Sequence, residues 1–324
     1  MKKQIGIRKC ADILKSANRV LIFTHISPDF DTVGSAMALV RALEKLGKTA
    51  EFVCSDELTP RFSLITDKTE TKITIKDPDL VVAVDMASAS MLGTYRKEYG
   101  ERVGLSIDHH GTSEFFAENT LCVPEASATG EIIYRLIKML GVELDEKTAT
   151  YLYCAVSSDT GCFKFSNTTP KTHRIAAKLL EFGIDHAYLD RMMLDIRSKE
   201  QLELEKLCLD SMKYYANGRV AVLTFTRKMC KKAGTDITAA EALVQIPRTI
   251  DGVELGIVLK EKKKDEFKIS LRSNDYFDCA SFAASFGGGG HIRASGFIAK
   301  GKADAVAHEI GSKAEEIIEK QDVQ

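Results

Sequence analysis

Asp108-His109-His110 ends an apolar run, residues 103–107, and three other segments offer side chains of the same kinds: His25-x-x-x-Asp29-x-Asp31, Asp85 and Asp159. Burying such aspartates together without a counter-charge costs on the order of several kcal/mol each. Asp29, Asp31, Asp85 and Asp159 carry enough negative charge to neutralise two divalent cations. Mixed imidazole and carboxylate donors with open positions suit manganese foremost, with magnesium, iron or zinc as alternatives. Two such cations about 3.5–4 Å apart make water a nucleophile and stabilise an in-line displacement at phosphorus. Asp85 is the candidate to bridge them. Adjacent histidines after a strand point different ways, so one of His109 and His110 can ligate while the other faces substrate. Asp108 is expected to orient a ligand from behind.

Each residue taken singly also has a plain structural reading. Asp29 and Asp31 could cap the helix that follows them, Asp85 another helix, and Asp159 a turn. A lone histidine usually packs and hydrogen-bonds. Four separated segments that all end in an acid or an imidazole favour the metal reading.

A second set lies downstream, in Ser270-Leu271-Arg272-Ser273-Asn274 and Gly287-Gly288-Gly289-Gly290-His291. A guanidinium grips phosphate with two parallel hydrogen bonds. Consecutive glycines let backbone N–H groups approach a phosphate or base closely. The Lys-[Ser/Thr] of a nucleotide-hydrolysing P-loop is missing. The plain alternatives are a surface ion pair for Arg272 and a loose turn for the glycines. Cys154 and Cys162 flank Asp159 and read as small packing residues.

The elements that must position these residues follow from the apolar pattern. Residues 20–24, 80–84 and 103–107 are continuous apolar runs, expected for parallel strands buried on both faces. Helical patterns cover 34–46, 131–140, 149–157 and 172–181. The polar residues share the carboxyl ends of strands, where open α/β sheets bind ligands. Residues 197–214 read as a connecting helix. Beyond them, 219–226, 254–260 and 267–272 read as strands, 261–266 as a charged hairpin turn, and 304–320 as a helix. Val306, Ile310, Ala314, Ile317 and Ile318 give that last helix a core-facing stripe. The expected fold is α/β: a mostly parallel sheet with helices on both faces (residues 1–190), a helical linker (191–215) and a smaller α+β C-terminal domain (216–324).

With 44% hydrophobic and 28% charged residues in 324, the chain is of the soluble globular kind. A net charge of -1 and the lack of tryptophan offer no long electrostatic or stacking track for nucleic acid. No run of about 18 apolar residues suggests a membrane span, and mixed polar sequence follows Met1-Lys2-Lys3 in place of a signal core. Eight cysteines without a Cys-x-x-Cys pair suit a reduced, cytoplasmic setting.

The segments His25-x-x-x-Asp29-x-Asp31-x-x-Gly34-Ser35, Asp85, Asp108-His109-His110 and Asp159-Thr160-Gly161 resemble the four motifs of the DHH phosphoesterases. Gly287 to Gly290 with His291 and Ala294-Ser295-Gly296-Phe297 resemble the glycine-rich signature of the associated C-terminal domain. Phe165-Ser166-Asn167-Thr168-Thr169-Pro170 is similar to a stretch of the nanoRNase subgroup. The resemblance implies a manganese-dependent, two-domain hydrolase with a central cleft. By it, His25, Asp29 and Asp85 would hold one cation, and Asp31, Asp85, His109 and Asp159 the other. His110 would contact the scissile phosphate, with Asp108 behind it. Arg272 and His291 would bind the nucleotide's terminal phosphate or base, together with Ser273, Asn274, Gly288, Gly289 and Gly290.

The implied activity is degradation of short RNA oligonucleotides to nucleoside 5'-monophosphates, with dephosphorylation of 3'-phosphoadenosine 5'-phosphate as a second activity. The chain lacks the extra domain of RecJ-like exonucleases and the membrane and sensor segments of the large cyclic-di-AMP phosphodiesterases. The alternative enzyme is a soluble phosphodiesterase for cyclic or linear dinucleotides such as pApA and pGpG. The alternative from another class is a non-catalytic nucleotide-binding protein on an enzyme scaffold. A homodimer is a further expectation of the resemblance.

Overall fold

The apolar runs of the first half become neighbouring strands of one parallel sheet. The structure is a computed structural model that describes residues 2–67, 70–236 and 243–322, and the chain divides into the units Met1–Ile196 and Arg197–Gln324. Strands β1 (Lys3–Gln4), β2 (Arg19–Phe23), β3 (Thr49–Val53), β4 (Leu80–Val84), β5 (Leu105–Asp108) and β6 (Asn119–Cys122) lie in the order β1-β6-β5-β4-β2-β3, every pairing parallel. The strand order reverses around β2, with β3 on one side of it and β4, β5 and β6 on the other. That reversal leaves a crevice at the carboxyl ends of β2 and β4. His25 follows β2 and Asp85 follows β4 directly.

Helices α1 (Ile7–Ser16), α2 (Phe30–Lys45), α3 (Arg96–Tyr99), α4 (Thr129–Leu140), α5 (Glu146–Asp159), α6 (Pro170–Leu180) and α7 (His186–Asp190) complete the first unit. Side chains alternate across the sheet. Val20, Ile22, Val82 and Val84 pack with Leu39, Leu43, Ile133 and Leu152 of the long helices. Leu21, Phe23, Val81 and Ala83 face Met86, Leu92 and Tyr99 instead. The second face is therefore covered thinly, by a 3-10 segment, Ala89–Tyr95, and the single turn of α3. Burial on both sides is why these strands read as unbroken apolar runs.

Helix α2 begins a turn before the expected start at residue 34, because Asp29 caps it by accepting from the Thr32 amide at 3.0 Å. Its close approach to α5 needs Gly34, where a Cβ would lie 2.5 Å from the Tyr151 carbonyl oxygen. Asp145 caps α5, accepting from the Thr148 amide at 2.9 Å while pairing with Arg41 and Lys45. The cysteines are unbridged, and Cys154 is buried in this core.

The second unit holds α8 (Lys199–Leu209), β7 (Lys213–Tyr215), β8 (Val220–Phe225), α9 (Arg227–Ala233), β9 (Leu255–Lys263), β10 (Glu266–Ser273), α10 (Cys279–Ala284), β11 (Gly289–His291), β12 (Ala294–Lys300) and α11 (Ala303–Asp322). Its sheet runs β11-β12-β10-β9-β8-β7, antiparallel except for β8 with β9.

Three expectations change here. The helix expected over 197–214 is shorter and buries Leu204 and Cys208 against Leu223 and Phe225, inside the second unit's own core. The charged turn expected over 261–266 contracts to Lys264 and Asp265, since alternating charges sit comfortably on the solvent side of paired strands. On α11 the buried stripe steps through Val306, Ile310, Ala314 and Ile318, leaving Ile317 at its margin and 37% exposed. Among the described residues no helix is long and apolar enough to cross a membrane.

Candidate active site

Two imidazoles are aimed by backbone carbonyls. His25 Nδ1 lies 2.8 Å from the Ile26 carbonyl oxygen, and His109 Nδ1 lies 3.1 Å from that of Ala126. A carbonyl only accepts, so each Nδ1 carries a proton, and Nε2 is the nitrogen left to ligate a cation when neutral. Those nitrogens converge on carboxylates. His25 Nε2 is 3.6 Å from Asp29 Oδ2 and 3.6 Å from Asp85 Oδ2. His109 Nε2 is 3.6 Å from Asp85 Oδ1, 3.5 Å from Asp159 Oδ2 and 3.9 Å from Asp31 Oδ2.

These separations are too long for good hydrogen bonds. Ligands held about 2.1 Å from one cation sit roughly 3–3.5 Å from each other. The sets His25/Asp29/Asp85 and Asp31/His109/Asp159 each bring their donor atoms within 4.8 Å of one another. The donor chemistry and spacing therefore fit divalent cations, and Asp85 turns one oxygen toward each set. Asp85 adopts φ +61, a left-handed conformation that aspartate tolerates better than most residues. Its amide donates to the Ile107 carbonyl at 2.9 Å, which ties the turn to β5.

The metal-free electrostatics are unfavourable. Burial, reinforced by Asp85, Asp159 and Asp29, pushes the Asp31 carboxyl well above its usual range. Burial likewise lifts Asp159 to about 7, helped by Asp85 and Asp29 and opposed by His109. Burial disfavours charge on His25, but Asp29 and Asp85 override it and raise the imidazole to about 11. The cluster lacks positive charge, which protons supply when cations do not.

Asp29 serves two ends at once. Its Oδ1 caps α2 while its Oδ2 faces His25, so the capping and metal readings occupy different oxygens. Asp31, fully buried, accepts from the amides of Thr129 at 2.7 Å and Gly130 at 2.9 Å and from the Ser35 hydroxyl at 3.1 Å. It thereby satisfies the N-terminus of α4, whose own N-cap Ala128 has no side-chain acceptor.

Asp108 stands behind the histidine pair. Its Oδ1 accepts from the amides of His109 at 2.9 Å and His110 at 3.2 Å and from His110 Nδ1 at 2.7 Å. Among the described residues its Oδ2 is buried without a partner. Asp108 holds His110 as an imidazolium, raised to about 9 against the opposing effect of burial. The His110 side chain is 38% exposed, which leaves it the accessible acid of the site.

Sequence reasoning missed the segment 126–131 that organises these candidate ligands. The Ala126 carbonyl aims His109, the Thr129 and Gly130 amides hold Asp31, and the Thr129 hydroxyl donates to Asp85 Oδ1 at 2.8 Å. Asn167 Nδ2 joins the Ser127 carbonyl at 2.9 Å to that of Asp159 at 3.1 Å. Glu131 accepts from the Ser127 and Thr172 hydroxyls, both at 2.6 Å. Backbone donors carry no sequence signature. A signal existed only in the small residues Ser127, Ala128, Thr129 and Gly130 where an apolar helix begins.

In the second unit Arg272 sits on β10, half-buried, donating to the Leu271 carbonyl at 2.9 Å. Among the described residues it pairs with no carboxylate, and burial and the nearby Arg248 cation both disfavour its charge. Gly256, opposite Arg272 in the sheet, leaves room for the Arg248 backbone. Ser273 is buried, and the Asn274 amide group donates to the carbonyls of Arg248 and Val253 at 2.9 and 2.8 Å. Gly289 and Gly290 are exposed on β11 beside exposed His291. Gly290, at φ +144, and Gly288 both lie too close to β12 for a side chain.

Comparison with known proteins adds to this geometry. Residues 19–156 match the DHH family, N-terminal domain, and residues 217–320 match the DHHA1 domain. The chain is 33% identical over 304 residues to the bifunctional oligoribonuclease and PAP phosphatase NrnA of Thermus thermophilus, covering 91% of this chain and 89% of that protein. It is 25% identical over 280 residues to the protein of the same name from Bacillus subtilis, covering 86% and 88%. A solved exopolyphosphatase-related protein from Bacteroides fragilis superposes with a TM-score of 0.87 at 26% identity, over 96% of this chain and 95% of that one.

Proposed function

The chain belongs to the DHH family, with a DHHA1 domain as its second unit, and from that premise we propose that it degrades short RNA oligonucleotides to nucleoside 5'-monophosphates. Dephosphorylation of 3'-phosphoadenosine 5'-phosphate is proposed as a second activity of the same centre. The observation that carries the reading is Asp85, whose two oxygens lie 3.6 Å from His25 Nε2 and 3.6 Å from His109 Nε2. The names of the relatives in Thermus thermophilus and Bacillus subtilis support the substrate class.

His25, Asp29 and Asp85 would hold one divalent cation, and Asp31, Asp85, His109 and Asp159 a second. Manganese is the preferred ion, because imidazole and carboxylate donors together suit it. When bound, the pair supplies a water made nucleophilic near neutral pH and charge stabilisation for the phosphoryl oxygens. The protein's own groups do the rest. Asp108 keeps His110 charged and fixed, so that the imidazolium can donate a hydrogen bond to an oxygen of the scissile phosphate. Backbone carbonyls keep His25 and His109 in the ligating tautomer. In the second unit, Arg272 and His291 would grip a phosphate or base, with exposed backbone at Gly289 and Gly290 beside them.

The test is hydrolysis of a 5'-labelled RNA pentamer with manganese, with magnesium and with chelator, beside the Asp85→Asn variant. Stepwise release of nucleoside monophosphates by the metal-loaded wild type alone is expected. Full activity of the variant would refute the metal assignment. Turnover of cyclic-di-AMP or pApA without RNA cleavage would move the substrate class and leave the site intact.

A further inference from the structure

We propose that Thr129 is a positioning residue of the metal site, its hydroxyl fixing the plane of the Asp85 carboxylate so that one oxygen faces each cation. The inference rests on the two-cation reading above.

A carboxylate torsion at an aspartate is broad, and nothing in the side chain itself selects one plane. Among the described residues, the structure gives the Asp85 carboxylate one hydrogen-bond donor, Thr129 Oγ1 at 2.8 Å. His110 Nδ1, at 3.8 Å from Asp85 Oδ1, is already committed to Asp108 at 2.7 Å. A carboxylate oxygen has two lone pairs, so Oδ1 can accept from Thr129 and still offer the other toward His109's cation. Thr129 cannot wander. It is fully buried as the first residue of α4, and its amide is held by Asp31 at 2.7 Å. A β-branched residue there gains nothing as a helix former, and Ala128, not Thr129, occupies the N-cap. One residue thus holds Asp31 through its backbone and Asp85 through its side chain, and so ties one ligand of the second proposed cation to the ligand that both would share. Donors of this kind behind a ligand are typically worth about 10–100-fold in metal affinity or activity.

The experiment titrates metal-stripped wild type, Thr129→Val and Thr129→Ser with manganese by calorimetry, and measures kcat and KM on an RNA pentamer at saturating metal. Valine keeps the shape and removes the donor, whereas serine keeps the donor. Weaker manganese binding by Thr129→Val, about 10–100-fold, is expected, with KM little changed and Thr129→Ser close to wild type. Wild type that binds no manganese would overturn the two-cation reading itself. Wild-type binding that Thr129→Val leaves unchanged would overturn only the role of Thr129. If Thr129→Val fails to fold by circular dichroism, Thr129→Ser decides: a serine variant that loses manganese affinity despite its hydroxyl overturns the proposal.

Discussion

Replacing Asp159 with asparagine should stabilise the metal-free protein while crippling metal binding. Asp159 titrates near 7 in the folded chain, against 3.8 for an unperturbed aspartate, so ionising it in place is costly. Lifting a carboxyl from 3.8 to about 7 corresponds to about 4 kcal/mol, at roughly 1.36 kcal/mol for each pH unit. The side chain is 30% exposed, and solvent screening reduces that figure to roughly 2–4 kcal/mol. The sign follows from the direction of the shift. A carboxyl whose folded pKa is raised penalises folding at pH above about 7, progressively less between 7 and 3.8, and not at all below. For the first unit alone this amounts to a rise in melting temperature of roughly 4–10 °C in chelator at pH 8. Calorimetry of wild type and Asp159→Asn, in chelator at pH 8 and pH 4.5 and again with manganese, measures it. The variant's advantage should shrink toward pH 4.5, and manganese should reverse the order at pH 8. An advantage that is absent at pH 8, or equal at both pH values, would refute the idea that burial, with the neighbouring carboxylates, opposes ionisation of Asp159 in the metal-free cluster.

Arg272→Ala should raise KM for a short oligonucleotide by about 10–100-fold with a smaller change in kcat, the pattern of a lost binding contact; a fall in kcat at constant KM would place Arg272 in the chemistry instead. Asp145→Ala should cost about 1–2 kcal/mol in urea unfolding through loss of the α5 cap. Arg41 holds the Asp145 carboxyl well below its usual range, so its contribution is complete above about pH 4 and is lost as pH falls below that; a variant effect unchanged at pH 2 would contradict this.

The clustered acids and imidazoles proposed to face metal were legible because their types are unusual where they stand. His25 and Asp85 follow, and Asp108 ends, strands that are mostly apolar, and their near-complete burial makes such strands readable. β3 and β6 were not read. Thr-Ala-Glu-Phe-Val mixes polar and apolar residues because β3 is partly exposed, and Asn-Thr-Leu-Cys is short and buries a polar Thr120, so neither shows an unbroken apolar run. β11 went unread for another reason: glycines have no side chains to alternate, so a strand and a loose turn look alike. At Asp29 the two readings were posed as alternatives, yet a carboxylate has two oxygens and this one uses both. The orienting role of the Ala126 carbonyl was not legible at all, because every residue owns a carbonyl and only the fold decides what it meets.

The parallel sheet has a bearing on how the chain comes to be folded. β1 pairs with β6, so Lys3 finds its partner at Asn119, and the proposed ligands run from His25 to Asp159. Such pairings must close long loops before they return any stabilisation, which slows assembly. During synthesis the first strand emerges more than a hundred residues before its neighbour. A nascent chain that stops short of α5 has no Asp159 to offer, and no subset of strands assembles the full ligand set. Tight uptake of the proposed second cation would therefore report that the first unit has folded through α5. In a cell, a chain stalled or misfolded anywhere before residue 159 would be expected to remain metal-poor and inactive toward RNA.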